Sequence, residues 1–146
     1  MQAAFDRAAQ RGGPVSLAVQ AIGRAATLAL YDELALSPKP GLVTLSDNGS
    51  HADMTAQTFM RSLFALRGYF VQIAALGARR APFRLLERCG IDAEARMLAA
   101  TGGVNTHRGA IFMLGLLCAS AGAVSVSGER LRTDLLRQAL QETWGE

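Results

Sequence analysis

Phe59, Leu63, Leu66, Phe70 and Ile73 recur at four-three-four-three spacing. That rhythm puts all five on one face of an α-helix and clashes with the two-residue repeat of a strand. A helix with such a stripe must lay it against other elements, so its neighbours decide the fold.

Those neighbours also read as helices. From Val15 to about Leu36 the chain is rich in Ala and Leu, until Ser37-Pro38-Lys39-Pro40-Gly41 stops it; proline lacks an N–H donor and biases its predecessor away from helix. The striped helix should end near Gly77. Pro82 opens a short helix through Arg88, Gly90 breaks it, and Asp92 caps a further piece to about Ala100. Ala110 to Ala121 reads as a helix, and Glu129 to about Trp144 as the last, with Leu131, Leu135, Leu136, Ala139 and Leu140 inward. Residues 1–14 read as a frayed or partly helical start ending at Gly12-Gly13-Pro14. Only Val124-Ser125-Val126-Ser127 hints at a strand, and it is short. The expectation is an all-α, bundle-like single domain over residues 1–146, large enough at 146 residues, half of them apolar, to bury a core.

Several function classes are disfavoured. The net charge is +3, with fourteen Arg and one Lys, Lys39, and neither a basic block nor an aromatic-basic alternation supports nucleic-acid binding. A mild positive balance still suits a small anion. The start carries Asp6, Arg7 and Arg11 and does not read as a signal peptide. Gly109 to Gly128 holds no charge but is broken by Gly115, Ser120, Gly122, Ser125 and Ser127; a buried core helix fits better than a membrane span, which needs about 20 mostly apolar residues. Cys89 and Cys118 lie in apolar helical patterns without metal-like spacing, and read as reduced thiols of a cytoplasmic protein.

The distinctive polar residues collect in two loops. One runs from Ser37 through Lys39, Asp47, Asn48, Gly49, Ser50 and His51 to Asp53 and Met54. The other is Ala100-Thr101-Gly102-Gly103-Val104-Asn105-Thr106-His107-Arg108-Gly109. Together they hold both histidines and the lone lysine, and each feeds the N-terminus of an apolar helix, where free N–H groups and the positive dipole end suit phosphate. Plainer readings stand beside this. Ser50 could cap a helix with Asp53 three residues on, Asn105 or Thr106 could cap the helix from Arg108, and Gly102-Gly103 could be a helix-ending turn. Neither GxxxxGK[ST] nor GxGxxG after a strand is present, and two histidines 56 positions apart make a zinc site improbable. A Ser50-His107-Asp53 triad has no specific support. The residues alone reach a helical domain with an anion or nucleotide site made by two loops.

Pro38-Lys39-Pro40-Gly41-Leu42-Val43, then Gly49-Ser50-His51 with Asp53-Met54, then Thr101 through Phe112, occur in an order that resembles the triphosphoribosyl-dephospho-coenzyme A synthase family; Glu33, Glu94 and Met97 fit the same pattern. The resemblance runs from about Ala25 to Trp144 and is to the N-terminal half of such synthases, whose second half carries further polar motifs. It implies an all-helical fold and a transferase that joins ATP to 3′-dephospho-coenzyme A. Adenine is released, and 2′-(5″-triphosphoribosyl)-3′-dephospho-coenzyme A goes on to the acyl-carrier protein of citrate lyase or malonate decarboxylase. It implies Mg²⁺ held by Glu33, Asp53 and Glu94. Nucleotide and phosphate would be held by Lys39, Ser50, Thr101, Gly102, Gly103, Asn105, Thr106 and Arg108. His51, Asp53 and His107 are the acid and base candidates. Thr44 stands where many members have an acidic residue after Gly-Leu-Val. Arg108 replaces the Lys usual in the citrate lyase branch, which with the Ser46-Asp47-Asn48-Gly49 loop and Ser62-Leu63-Phe64-Ala65-Leu66 resembles the malonate decarboxylase branch. A half-length helical unit, ending at Trp144-Gly145-Glu146, is expected to leave an apolar face for a second copy or a missing half; the alternative is an inactive nucleotide-binding module.

Overall fold

The computed structural model describes residues 14–146; the start expected to be frayed lies outside the described residues up to Gly13. Five helices follow: α1 (Pro14–Ala35), α2 (Ala56–Ala78), α3 (Phe83–Ala100), α4 (Arg108–Ser125) and α5 (Thr133–Trp144). No strand occurs among the described residues, so the all-α expectation holds.

The striped helix is the hub. Leu63, Leu66, Phe70 and Ile73 are all buried, and α2 packs against α1, α3 and α4. Its start is set by Thr55 rather than Ser50. Thr55 Oγ1 accepts the Thr58 N–H at 3.3 Å, and Thr58 Oγ1 accepts the Thr55 N–H at 3.2 Å, a reciprocal cap that leaves Ser50 in the preceding loop.

Helix α3 differs from the sequence expectation of two pieces. It runs unbroken through Gly90, because one continuous helix buries Leu86, Ala93 and Met97 together, and that outweighs the roughly 1 kcal/mol a helical glycine costs. The expected strand hint also fails: Val124 and Ser125 finish α4, and Ser127 and Gly128 close the turn after it. The last helix starts at Thr133, four residues later than expected, and Leu131 stands half exposed.

Contacts along α2 and α4 fix their direction. Ser62 meets His107, Tyr69 meets Ile111 and Gly77 lies on Ala119, so the two helices run parallel. The approach is close: a Cβ at Gly77 would sit inside the Ala119 backbone, and one at Gly122 would meet the Ala74 carbonyl. Helices α1 and α3 run the other way, with Gly23 of α1 against Val71 of α2. The loops before α2 and before α4 therefore emerge at the same end of the bundle. At the opposite end α5 is tied down by Trp144 Nε1, which donates to the Ala81 carbonyl at 2.8 Å, and by Arg80, which donates to Thr143.

Helix α4 is long and apolar enough to cross a membrane, but half of it is buried inside the fold. Its outer face, with Phe112 at 60% and Met113 at 63% exposure, is uncovered.

Candidate nucleotide-binding site

Four helix ends meet where the two loops emerge: the last turn of α1, the first turns of α2, the last turn of α3 and the start of α4. His107 is at the centre, 7% exposed. Its Nδ1 lies 2.6 Å from the Ser62 hydroxyl, which in turn accepts the Thr106 hydroxyl proton at 2.6 Å. Its ring stands edge-on to Phe59, centroids 5.0 Å apart, and its backbone N–H donates to Met97 Sδ at 3.3 Å. Burial pushes the imidazole down to about 4 from its ordinary 6.5; the Glu33 carboxylate pulls more weakly the other way.

Glu33 ties the first loop to this centre. Lys39 reaches back to α1 with its side chain only 8% exposed, and Nζ donates to Glu33 Oε1 at 2.8 Å and to the Glu33 carbonyl at 2.6 Å. The lysine thus caps the carbonyl end of α1 while its charge stays beside the site. The rest of that loop folds on itself. Thr44 N–H donates to the Asp47 carbonyl, Gly49 N–H to Asp47 Oδ1 and Ser50 N–H to the Gly41 carbonyl. Gly49, with φ of +60°, lies so tightly on Gly41 that no side chain fits between them.

The second loop is wound by its own polar groups. Thr101 Oγ1 donates to the Met97 and Val104 carbonyls at 2.9 and 2.7 Å, and Gly102 and Gly103 turn the chain with φ of +67° and +89°. Asn105 Oδ1 accepts the Arg108 N–H at 3.1 Å. The Arg108 side chain bridges to Glu94, Nη2 to Oε1 at 2.6 Å. Neither α2 nor α4 has an acidic residue in its first turn, so both positive dipole ends stand uncancelled at this end of the bundle.

Beside the second loop lies a cleft of about 390 Å³ between α2, α3 and α4, apolar except for Glu87, Glu94, Arg108 and the edge of Tyr69. Its size falls in the ordinary range for small-molecule sites. Arg108 belongs to both loop and cleft, so a ligand in the cleft would place its charged end at the start of α4.

Residues 19–144 match the family described as CitG, ATP:dephospho-CoA triphosphoribosyl transferase. The chain belongs to this family. It is 40% identical over 121 residues to a probable 2-(5″-triphosphoribosyl)-3′-dephosphocoenzyme-A synthase of Acinetobacter calcoaceticus, covering 83% of this chain and 41% of that one. The corresponding synthase of Pectobacterium atrosepticum is 43% identical over 109 residues, 70% of this chain and 36% of its own. The protein CitXG of Leuconostoc mesenteroides is 43% identical over 115 residues, 75% and 24%. The chain thus spans less than half the length of these curated relatives. No solved structure matches it.

Within the transferase family's motifs, the fold gathers some of the expected site residues and disperses others. Glu33, Lys39, Thr106 and His107 come together, and Glu94 and Arg108 pair next to them. Ser50, His51 and Asp53 stay on the first loop, and no hydrogen bond or ion pair joins their side chains to the second loop among the described residues. Thr101 is buried, and its hydroxyl donates within the turn. The three carboxylates of the expected metal set are not gathered: among the described residues no three His, Cys, Asp or Glu side chains come together. Glu33 is taken by Lys39, Glu94 by Arg108, and Asp53 is exposed on its loop. Mg²⁺ typically needs only one or two carboxylates when phosphates supply the rest.

Both cysteines are free, and burial pushes the Cys118 thiol up to about 12. Ser62, Phe59 and Met97 hold His107 but are absent from the expected site set. Ser62 carried a readable signal: a small polar residue on the buried side of the striped helix α2.

Proposed function

We propose that this chain binds the triphosphate-ribose of ATP and takes part in transferring it to 3′-dephospho-coenzyme A, the reaction named by its family. In that reaction a ribose hydroxyl oxygen of dephospho-coenzyme A bonds to the anomeric carbon of ATP. The bond from that carbon to adenine breaks, the hydroxyl proton goes to a base, and adenine leaves with a proton. The triphosphate is retained. The observation that carries the reading is the shared end of the bundle: two parallel helix starts without acidic residues, flanked by Lys39 and Arg108 and centred on His107. Backbone N–H groups of α2 and α4 and the Arg108 guanidinium receive the triphosphate. The neighbouring cleft takes an apolar or aromatic portion of a substrate. Mg²⁺ enters as the nucleotide's counter-ion and is substrate here.

The same reading places the chain in the cytoplasm, in keeping with its two unpaired cysteines, and hands its product to an acyl-carrier protein. Arg108 in place of Lys favours the malonate decarboxylase system over citrate lyase. The uncovered α4 face is the natural seat of a second copy or of the sequence that relatives carry beyond the matched region.

Adenine release tests the proposal. Purified chain is incubated with MgATP and 3′-dephospho-coenzyme A, and products are separated by chromatography. Adenine that appears only with both substrates is the expected result. No adenine, together with no MgATP-induced rise in melting temperature, overturns the reading, because a ligand that binds the folded state must stabilise it. A melting shift without adenine keeps the nucleotide site and leaves this chain an inactive binding module.

A further inference from the structure

His107 has two ring nitrogens, and their surroundings differ. Ser62 is 0% exposed, and its hydroxyl has one proton to give. Thr106 donates to that oxygen, and the only acceptor within reach of the Ser62 proton among the described residues is His107 Nδ1, at 2.6 Å. With Nδ1 as the acceptor, that buried proton has a partner. A neutral ring that accepts at Nδ1 carries its proton on Nε2. No fully buried side-chain nitrogen or oxygen lacks a partner among the described residues, and Nε2 makes no hydrogen bond there, so Nε2 is the edge of the ring that reaches the surface.

We propose that Ser62 is a positioning residue that holds His107 as the Nε2–H tautomer, so that the site presents a hydrogen-bond donor at this point and not a base. Thr106 completes the relay by orienting the Ser62 hydroxyl. The consequence for the transfer rests on the function proposed above: His107 donates a hydrogen bond to the substrate, and the proton of the attacking hydroxyl must go to another group, a carboxylate or His51. The low proton affinity of the buried ring agrees with this, since the neutral form persists across the range where a free histidine titrates.

The test reads the tautomer directly. Long-range proton–nitrogen correlation NMR on the nitrogen-15-labelled chain distinguishes a pyrrole-type from a pyridine-type nitrogen in each ring. His51→Gln removes the only other histidine signals and so assigns the rest. The expected wild-type spectrum has pyridine-type Nδ1 and pyrrole-type Nε2 for His107. Ser62→Ala should move the two nitrogen shifts toward each other as both tautomers populate, and Ser62→Thr, which keeps the hydroxyl, should restore the wild-type pattern. A pyrrole-type Nδ1 in the wild type overturns the proposal, as does an unchanged tautomer in a folded Ser62→Ala chain. Should the Ser62 variants not fold, the wild-type spectrum and Thr106→Val decide; the latter takes away the donor that orients the Ser62 hydroxyl and should move the two nitrogen shifts toward each other, and an unchanged tautomer in it overturns the relay. None of these readouts needs turnover. Absent adenine release with the expected tautomer refutes only the function; adenine release with pyrrole-type Nδ1 refutes only the role of Ser62.

Discussion

His107 makes the stability of this chain depend on pH in a window that its burial defines. In the unfolded chain its imidazole protonates near the ordinary 6.5; in the folded chain, buried among Phe59, Met97 and Ser62, it protonates only near about 4. Between those values the unfolded state binds the extra proton and the folded state does not, so acidification favours unfolding. The contribution is fully present above about pH 6.5 and drains away as pH falls toward about 4. At about 1.4 kcal/mol per pH unit, the whole gap is worth about 3 kcal/mol, a large part of a small domain's stability. Urea unfolding of wild type and His107→Gln, each near pH 7 and near pH 4.5, isolates this from carboxylate titration common to both. Wild type should lose about 2.5 kcal/mol more than the variant between the two conditions. Parallel losses in the two proteins would refute the reasoning, because they would mean that His107 charges as easily folded as unfolded.

Other consequences follow from the same contacts. Gly77→Ala should cost about 2 kcal/mol in urea unfolding, since its methyl falls on the Ala119 backbone and α2 and α4 must separate; Gly68→Ala, with open space at its Cβ, should gain about 0.5 kcal/mol, and equal effects would contradict the close packing. Tyr69→Phe removes the buried hydroxyl that donates to the Ile111 carbonyl at 2.7 Å, and should lower stability by about 1 kcal/mol; an unchanged unfolding midpoint would show that bond to be worth nothing. Arg108→Ala should weaken MgATP binding about tenfold by calorimetry, and Glu94→Ala, which frees the guanidinium, should not; the reverse order would place the nucleotide elsewhere.

What could be read in advance and what could not divide along physical lines. The four-three spacing of Phe59 through Ile73 reports burial, and burial built α2 as read. Gly90 was misread because local propensity argues for a break while the joint burial of Leu86, Ala93 and Met97 argues against it, and only the tertiary fold weighs the two. The cap fell on Thr55 instead of Ser50 because Thr58 offered a reciprocal partner at the right distance. The two glycines of the second loop were legible as a turn, since a chain reversal after a helix calls for positive φ, which Gly102 and Gly103 both adopt. The ion pairs were not legible, because separation along the chain says nothing of which cation each carboxylate will meet: Lys39 and Arg108 reached Glu33 and Glu94. The partnership of Ser62 with His107 spans 45 positions, and no local pattern encodes a bond that depends on α2 and α4 lying side by side.

The most direct test of a nucleotide site at the shared end of the bundle is a titration of the nitrogen-15-labelled chain with MgATP, followed by backbone amide NMR. The account predicts shift changes concentrated at Lys39–Gly41, at the first turn of α2 and at Gly102–Arg108, with the Ala81–Trp144 end of the bundle silent. Changes centred on that far end, or none at saturating nucleotide, would contradict it.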